Sequence, residues 1–218
     1  MHYILQPYNY NLSDPESIPN LFLKHLSIVG VTMLISLAIA IPLGLLVARF
    51  RKLYFPTVSI SGLLYTVPSI AAFALLIPIT GLSPATAIIP MVLYNQLVLI
   101  RNTSAAVNAI DPLLIEVGRA MGMKPHQILF RVTLPLALPV IVAGIRIATV
   151  TTVGIAALAA LVGQSDLGDL IFQNIAAFDP DAIAAGAILT AFLAIAADLL
   201  LLALQVWLNR GRSAVSVA

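Results

Sequence analysis

The stretch HLSIVGVTMLISLAIAIPLGLLVARFRK, residues 25–52, carries no ionisable side chain from residue 26 to residue 48 and then closes on Arg49, Arg51 and Lys52. A bilayer core is crossed by about 20 apolar residues in a helix rising 1.5 Å per residue. The segment therefore predicts a membrane-spanning helix with a basic stop. A helix is the form that lipid dictates, because each backbone N–H and C=O is satisfied within the segment itself.

Four further stretches outward from this one meet the same test. They cover residues 55–77, residues 85–100 (short, with Pro84 and Pro90 at its start), residues 136–162 and residues 182–208. Composition agrees with them: 61% of the residues are hydrophobic, 9% are charged and mean hydropathy is +1.04. A soluble domain carries about 25% charged residues, so this chain cannot clothe itself in a water-compatible surface. The expected fold class is an all-α polytopic membrane protein, a single membrane domain with five transmembrane helices. There is no cysteine, which excludes disulfides, thiolate chemistry and Cys-ligated zinc. The first 20 residues lack a basic region followed by an apolar core, so no cleavable signal peptide is expected.

Lys and Arg residues set the orientation. Arg49, Arg51 and Lys52 follow the first span; Arg101, Arg119, Lys124 and Arg131 lie between the third and fourth; Arg210 and Arg212 follow the fifth. With five spans all of these share one side, which the positive-inside rule makes the cytoplasm. Asp14, Glu16, Asp166, Asp169, Asp179 and Asp181 fall on the other. The N-terminus is expected outside and the C-terminus inside. The expected divisions are an exterior segment 1–25, a permease domain 26–208 containing a cytoplasmic loop 101–135, and a cytoplasmic tail 209–218. Tyr3, Tyr8 and Tyr10 fit either an interfacial aromatic belt or a loosely ordered tail.

The largest cytoplasmic loop contains EVGRAMGMKPHQILFRVTLP, residues 116–135. Asp111-Pro112 is a helix start, with Asp as cap and Pro at the first helical position. Leu114, Val117, Gly118 and Met121 then share one helical face, while Glu116 and Arg119 point elsewhere. Gly122 suits the left-handed position that ends a helix. Pro125 opens a second short helix with Ile128, Leu129 and Val132 on its apolar side, and Pro135 marks the next span. Two short helices around a glycine bend form a knuckle that suits a partner's groove. An amphipathic loop lying on lipid headgroups fits the same pattern.

The stretch resembles the EAA loop of binding-protein-dependent ABC importers, whose pattern is EAA, three residues, Gly, nine residues, I-x-LP. Here Glu116 is followed by Val117-Gly118, then three residues to Gly122, nine more, and Val132-Thr133-Leu134-Pro135. Val117, Gly118 and Val132 depart from the usual Ala, Ala and Ile. Residues 25–50, 63–82, 134–163 and 166–172 are similar to permeases of glycine betaine, choline and related osmoprotectant importers. The resemblance implies that Glu116, Gly118, Gly122, Pro125, Leu134 and Pro135 belong to a cytoplasmic coupling helix seated in a separate ABC ATPase subunit. It also implies a second permease chain, identical or homologous, and an external solute-binding protein, in a bacterial cytoplasmic (inner) membrane. A methionine-type amino-acid permease would share the same loop. The chain has no G-x-x-x-x-G-K-[ST] loop, so ATP hydrolysis is expected on another polypeptide. No catalytic residue, metal, cofactor or nucleic-acid partner is expected on this chain; its remaining partner is the lipid bilayer.

Ionisable groups inside spans are functional candidates by default. Arg146 lies about ten residues into the fourth span and Asp198 about ten from the end of the fifth, so at 1.5 Å per residue both sit ~15 Å from the cytoplasmic ends of antiparallel helices. An interhelical Arg146–Asp198 pair is expected, against the alternative of an Arg146 that snorkels while Asp198 meets water. Tyr65, Pro68 and Ser69 in the second span and Tyr94, Asn95 and Gln96 in the third are candidate pore-lining residues, since lipid-facing amides would be unsatisfied. Interhelical contact serves them equally; Thr149 and Thr152 above Arg146 are candidate pore-lining residues too, with close helix contact the favoured role. There is no H-E-x-x-H and no carboxylate pair within a span, which argues against an intramembrane enzyme. One acid–base pair and no inverted repeat argue against a secondary transporter or channel.

Overall fold

The computed structural model describes residues 3–209, so Arg210, Arg212 and the rest of the tail lie outside the described residues. Nine α-helices follow one another in the described part: α1 (Ile18–Arg49), α2 (Tyr54–Tyr65), α3 (Ser69–Thr80), α4 (Pro84–Asn108), α5 (Pro112–Ala120), α6 (Pro125–Ile128), α7 (Leu134–Ala156), α8 (Asp169–Ala177) and α9 (Pro180–Asn209). Four helical runs are long and apolar enough to cross a membrane: α1, α4, the run Pro125–Val162 that contains α7, and α9. A fifth crossing results if α2 and α3, which meet at 90°, are taken as one broken span.

The break has a local cause. Pro68 lacks an N–H and its ring disfavours a helical conformation at Val67. The carbonyl freed at Val67 accepts from the Tyr94 hydroxyl of α4 at 2.8 Å, and Thr66 Oγ1 donates to the Leu63 carbonyl at 2.7 Å. Neighbouring side chains make a broken helix tolerable at membrane depth in this way.

Close contacts fix the helix directions. Gly44 of α1 lies against Thr103 of α4, and Ser36 of α1 bonds Asn95 of α4, so these two helices run parallel. Between them the chain has to return, and the bent α2–α3 pair makes that return. Gly144 meets Asn102 while Thr152 meets Asn95, so α7 is antiparallel to α4. A Cβ on Gly44 would stand 2.5 Å from the Thr103 Cβ, and one on Gly144 would stand 2.6 Å from the Asn102 Cβ. Without water to drive association, small residues that let backbones approach are what hold such bundles together. Gly144→Ala is expected to destabilise by about 1–3 kcal/mol through overpacking. A lower thermal-unfolding midpoint of the detergent-solubilised chain checks this, with Gly30→Ala, where a Cβ meets nothing within 4 Å, as the silent control.

The core lies between α1, α4 and α7, around Leu21, Met91, Leu99, Ile100 and Val153, with Phe73 of α3 added. In contrast, α9 buries little and presents Phe192, Ile195, Leu199 and Leu200 outward.

Two helix boundaries lie elsewhere than expected, and the N-terminal segment is ordered. The first helix begins at Ile18 rather than 26, so residues 18–25 are its first turns. Helix α4 continues past residue 100 to Asn108, carrying Arg101, because Thr103, Ser104 and Ala106 are buried in the bundle. Its polar amides do not end it: Asn102 Nδ2 donates back to the Val98 carbonyl and Asn108 Nδ2 to Ser104 Oγ. Residues 3–17 form a folded cap, not a loose tail. Asn9 Nδ2 donates to the Tyr3 carbonyl at 2.7 Å, and Asn20 Nδ2 donates to the carbonyls of Leu12 and Asp14.

Candidate coupling element and the polar residues of the bundle

The α5–α6 knuckle is held by its own backbone chemistry. Asp111 Oδ1 accepts from the Leu113 N–H at 2.9 Å, capping α5. At the other end Gly122 takes φ +77°; its N–H donates to the Arg119 carbonyl and the Met123 N–H donates to the Gly118 carbonyl. This is the Schellman arrangement, which needs a left-handed residue at that place. The Lys124 N–H donates to Gln127 Oε1 at 2.7 Å, so α6 starts with its own cap. Gly118 is buried, its Cβ position 3.5 Å from Ile128 Cγ1 and Met123 Sδ. The two short helices therefore close on each other at Gly118.

The outer side of the knuckle stays uncovered. Glu116, Pro125, Leu113, Leu114 and Val117 are exposed, and Met121 is 76% and Phe130 64% exposed. Between the knuckle and the ends of α1 and α4 runs a groove of about 990 Å³, lined among others by Leu46, Val107, Ile115 and Met123 with Arg49 and Arg119. Leu134 and Pro135 sit where α6 passes into α7. Residues Leu129–Thr133 form one π turn, in which the Leu134 N–H reaches the Leu129 carbonyl five residues back. Pro135 has no N–H to continue an ordinary register into that turn, so the Leu-Pro pair marks a register shift at the root of the knuckle.

Inside the bundle Arg146 and Asp198 meet in two parallel bonds, Nε to Oδ1 and Nη2 to Oδ2, both 2.9 Å. Such a fork is the strong form of a charge-assisted bond. Arg146 Nη1 also donates to Gln205 Oε1 at 2.9 Å. The cluster is half-buried and opens onto a recess walled by Ile147, Val150, Ile195 and Leu199.

Asn95 is 4% exposed and bonds across three helices, its Nδ2 donating to Thr152 Oγ1 at 2.9 Å and to Ser36 Oγ at 3.2 Å. Thr152 Oγ1 also donates to the Ala148 carbonyl, and Thr149 Oγ1 to the Ile145 carbonyl. Asn95, Ser36 and Thr152 thus join three helices, while the Thr149 hydroxyl bonds within α7. Gln96 is buried too, with Nε2 on the Val92 carbonyl. Tyr94 is tied to the α2–α3 break through its hydroxyl and stacks edge-on against Tyr65, ring centroids 5.9 Å apart. Tyr65 and Pro68 are exposed and Ser69 half-buried at that break. The structure thus gathers Tyr65, Pro68, Ser69 and Tyr94 in one place, Asn95 with Thr152 in a second, and Arg146 with Asp198 in a third.

Sequence reasoning missed Gln205 and a buried pair of His25 and Asp166, both of which it placed outside the membrane. Gln205 had a signal, since it follows Asp198 by two helical turns. His25 and Asp166 had none in local spacing. Near them, burial pushes the Asp169 carboxyl at the start of α8 above the ordinary carboxylate range, with Asp166 adding to the shift and bonds from Gln173 and Ser165 opposing it. A carboxyl raised on folding favours the folded state less once the pH passes its unfolded value of about 3.9. Asp169→Asn is therefore expected to raise the thermal midpoint at pH 7, and the gain should vanish as the pH falls below about 4.

A family model for the binding-protein-dependent transport system inner membrane component matches residues 40–214. The choline transport system permease protein OpuBD of Bacillus subtilis (strain 168) is 37% identical over 216 residues, covering 99% of this chain and 94% of that protein. The osmoprotectant import permease protein OsmW of Salmonella typhimurium is 38% identical over 206 residues, covering 92% and 96%. Among solved structures, an inward-facing form of the MetNI methionine ABC transporter aligns with a TM-score of 0.79 and 25% identity, covering 88% of this chain and 96% of that one.

Proposed function

The chain belongs to the family of binding-protein-dependent transport system inner membrane components and is a multi-pass permease of an ABC transport system; on that premise we propose that it forms the translocation path for an osmoprotectant such as glycine betaine, choline or carnitine. Its N-terminus is outside and its C-terminus inside a bacterial inner membrane, with five spans, the α2–α3 pair being one of them. A separate ABC ATPase receives the α5–α6 knuckle, a second permease chain, identical or homologous, completes the path, and an external binding protein delivers solute. ATP and solute shift the populations of outward- and inward-open states, so each must bind one state better than the other.

The observation that carries this reading is the knuckle itself: locked at both ends by its own hydrogen bonds, yet with Leu113, Val117 and Met121 left uncovered. A rigid element with an unburied apolar face transmits displacement to whatever covers that face. The substrate class is supported by the names of the relatives, and the fold similarity to MetNI favours a second reading, an amino acid such as methionine. Uptake into proteoliposomes decides between them. Binding-protein-dependent accumulation of glycine betaine, choline or carnitine, uncompeted by methionine, is the expected result. Accumulation of methionine alone would move the chain to the second reading.

A further inference from the structure

His25 of α1 and Asp166, from the segment between α7 and α8, face each other with both side chains fully buried and 3.3 Å between Nδ1 and Oδ2. The other ring nitrogen, Nε2, lies 3.2 Å from the Val153 carbonyl of α7. A carbonyl only accepts, so Nε2 carries a proton, and Nδ1 can bond the carboxyl only when a second proton sits between the two groups. Asp166 is tied on its far side as well: Oδ1 accepts from the Gly168 N–H at 2.6 Å, and its backbone carbonyl accepts from the Asp169 N–H at 3.0 Å. The carboxyl is thus hydrogen-bonded to the start of α8 through Oδ1, while Oδ2 faces His25 of α1 at ion-pair distance, without hydrogen-bond geometry, and His25 in turn reaches α7.

The segment it holds is inlaid in the bundle. Leu167 is fully buried, a Cβ on Gly168 would stand 1.9 Å from the Ala157 carbonyl oxygen, and one on Gly186 of α9 would stand 2.8 Å from the Leu170 Cβ. Beside the pair, a cavity of about 390 Å³ is walled by Lys24 and Ser27 of α1, by Pro84 and Ile88 of α4, and by Gln164 and Ser165 of this segment. Lys24 and Ser165, the chain neighbours of His25 and of Asp166, therefore line one cavity, next to the contact between the two residues.

We propose that the His25–Asp166 pair pins residues 163–169 in place and so fixes the shape of the face that receives the external solute-binding protein. The role in delivery rests on the orientation proposed above. Both residues are positioning residues, since neither reaches the surface; Lys24 and Ser165, which are exposed, are what the pin presents, while Gln164 is buried beneath them.

Two variants at one position test it. Asp166→Ala removes the pin. Asp166→Asn keeps an oxygen for the Gly168 N–H and offers an amide N–H to Nδ1 of a neutral imidazole. In the purified chain, Asp166→Ala should speed amide hydrogen exchange across residues 163–169 by about tenfold or more while α4 stays protected, and the Asn variant should follow the unchanged protein. In the reconstituted assembly, Asp166→Ala should raise the binding-protein concentration for half-maximal ATPase stimulation by about fivefold or more, through lost preorganisation. The rate at saturation should be retained, and Asn should restore the half-maximal concentration. Equal exchange in the Ala variant and the unchanged protein overturns the pin. Faster exchange with an unmoved half-maximal concentration, or a loss of saturating rate that Asn does not rescue, overturns the role in delivery. Absence of stimulation in the unchanged assembly defeats the transport reading itself, and with it the delivery role, while the exchange comparison still judges the pin.

Discussion

Exchanging Gly122 for proline is expected to uncouple the permease from its motor: solute-stimulated ATP hydrolysis falls to the basal rate, while the chain still inserts into the membrane. Gly122 holds φ +77° and nothing lies within 4 Å of where its Cβ would be, so the effect is one of backbone conformation rather than crowding. Proline is fixed near φ −65° and has no N–H. It cannot hold the left-handed position, and it deletes the bond to the Arg119 carbonyl that closes α5. The angle between α5 and α6 then goes, and with it the surface formed by Leu113, Val117 and Met121. Gly122→Ala should lie between, since alanine tolerates the left-handed region at a cost of about 1–2 kcal/mol. ATPase rates of the three forms, with and without loaded binding protein, check the order. A proline variant that couples like the unchanged chain would remove the knuckle from the mechanism.

The second large effect concerns the bundle. Arg146→Ala and Asp198→Ala are each expected to lower the amount of chain recovered in the membrane by about tenfold, because a partner stranded in an apolar setting is far worse than the pair. Arg146→Ala should be the more severe, since it strips the shown donors from both Asp198 and Gln205. After Asp198→Ala the guanidinium keeps Gln205. The charge swap, Arg146→Asp with Asp198→Arg, should recover part of the yield, because the two sites face each other across one helix interface. Single variants with unchanged recovery would show that the pair does not hold α7 to α9.

These residues also show how much a single chain discloses. Hydropathy marks α1, α7 and α9 because lipid makes one local demand on every residue. The knuckle is readable for a similar reason: Asp111-Pro112, Gly122 and Pro125 each act on the nearest turn of backbone. Arg146 and Asp198 can be set at one depth by counting along two apolar helices; the addition of Gln205 follows only from the rotation of α9. Other features depend on what lies opposite. Pro68 predicts a bend, but a 90° break stands because Tyr94, 27 residues away, supplies a donor to the Val67 carbonyl. The polar run after residue 100 reads as a loop, and it is helix because α1 and α7 cover it. For Asn95 the sequence leaves pore lining and helix contact equally open; its bonds to Ser36 and Thr152 come into view only with the other two helices in place. His25 and Asp166, separated by most of the chain, carry no common pattern at all.

The measurement closest to the central claim is ATP hydrolysis in liposomes by the complex that co-purifies with this chain, with and without a solute-loaded binding protein. The permease assignment predicts that an ATPase subunit co-purifies and that its hydrolysis rises when loaded binding protein is added. A chain that brings down no ATPase and alone moves solute down a gradient would contradict it.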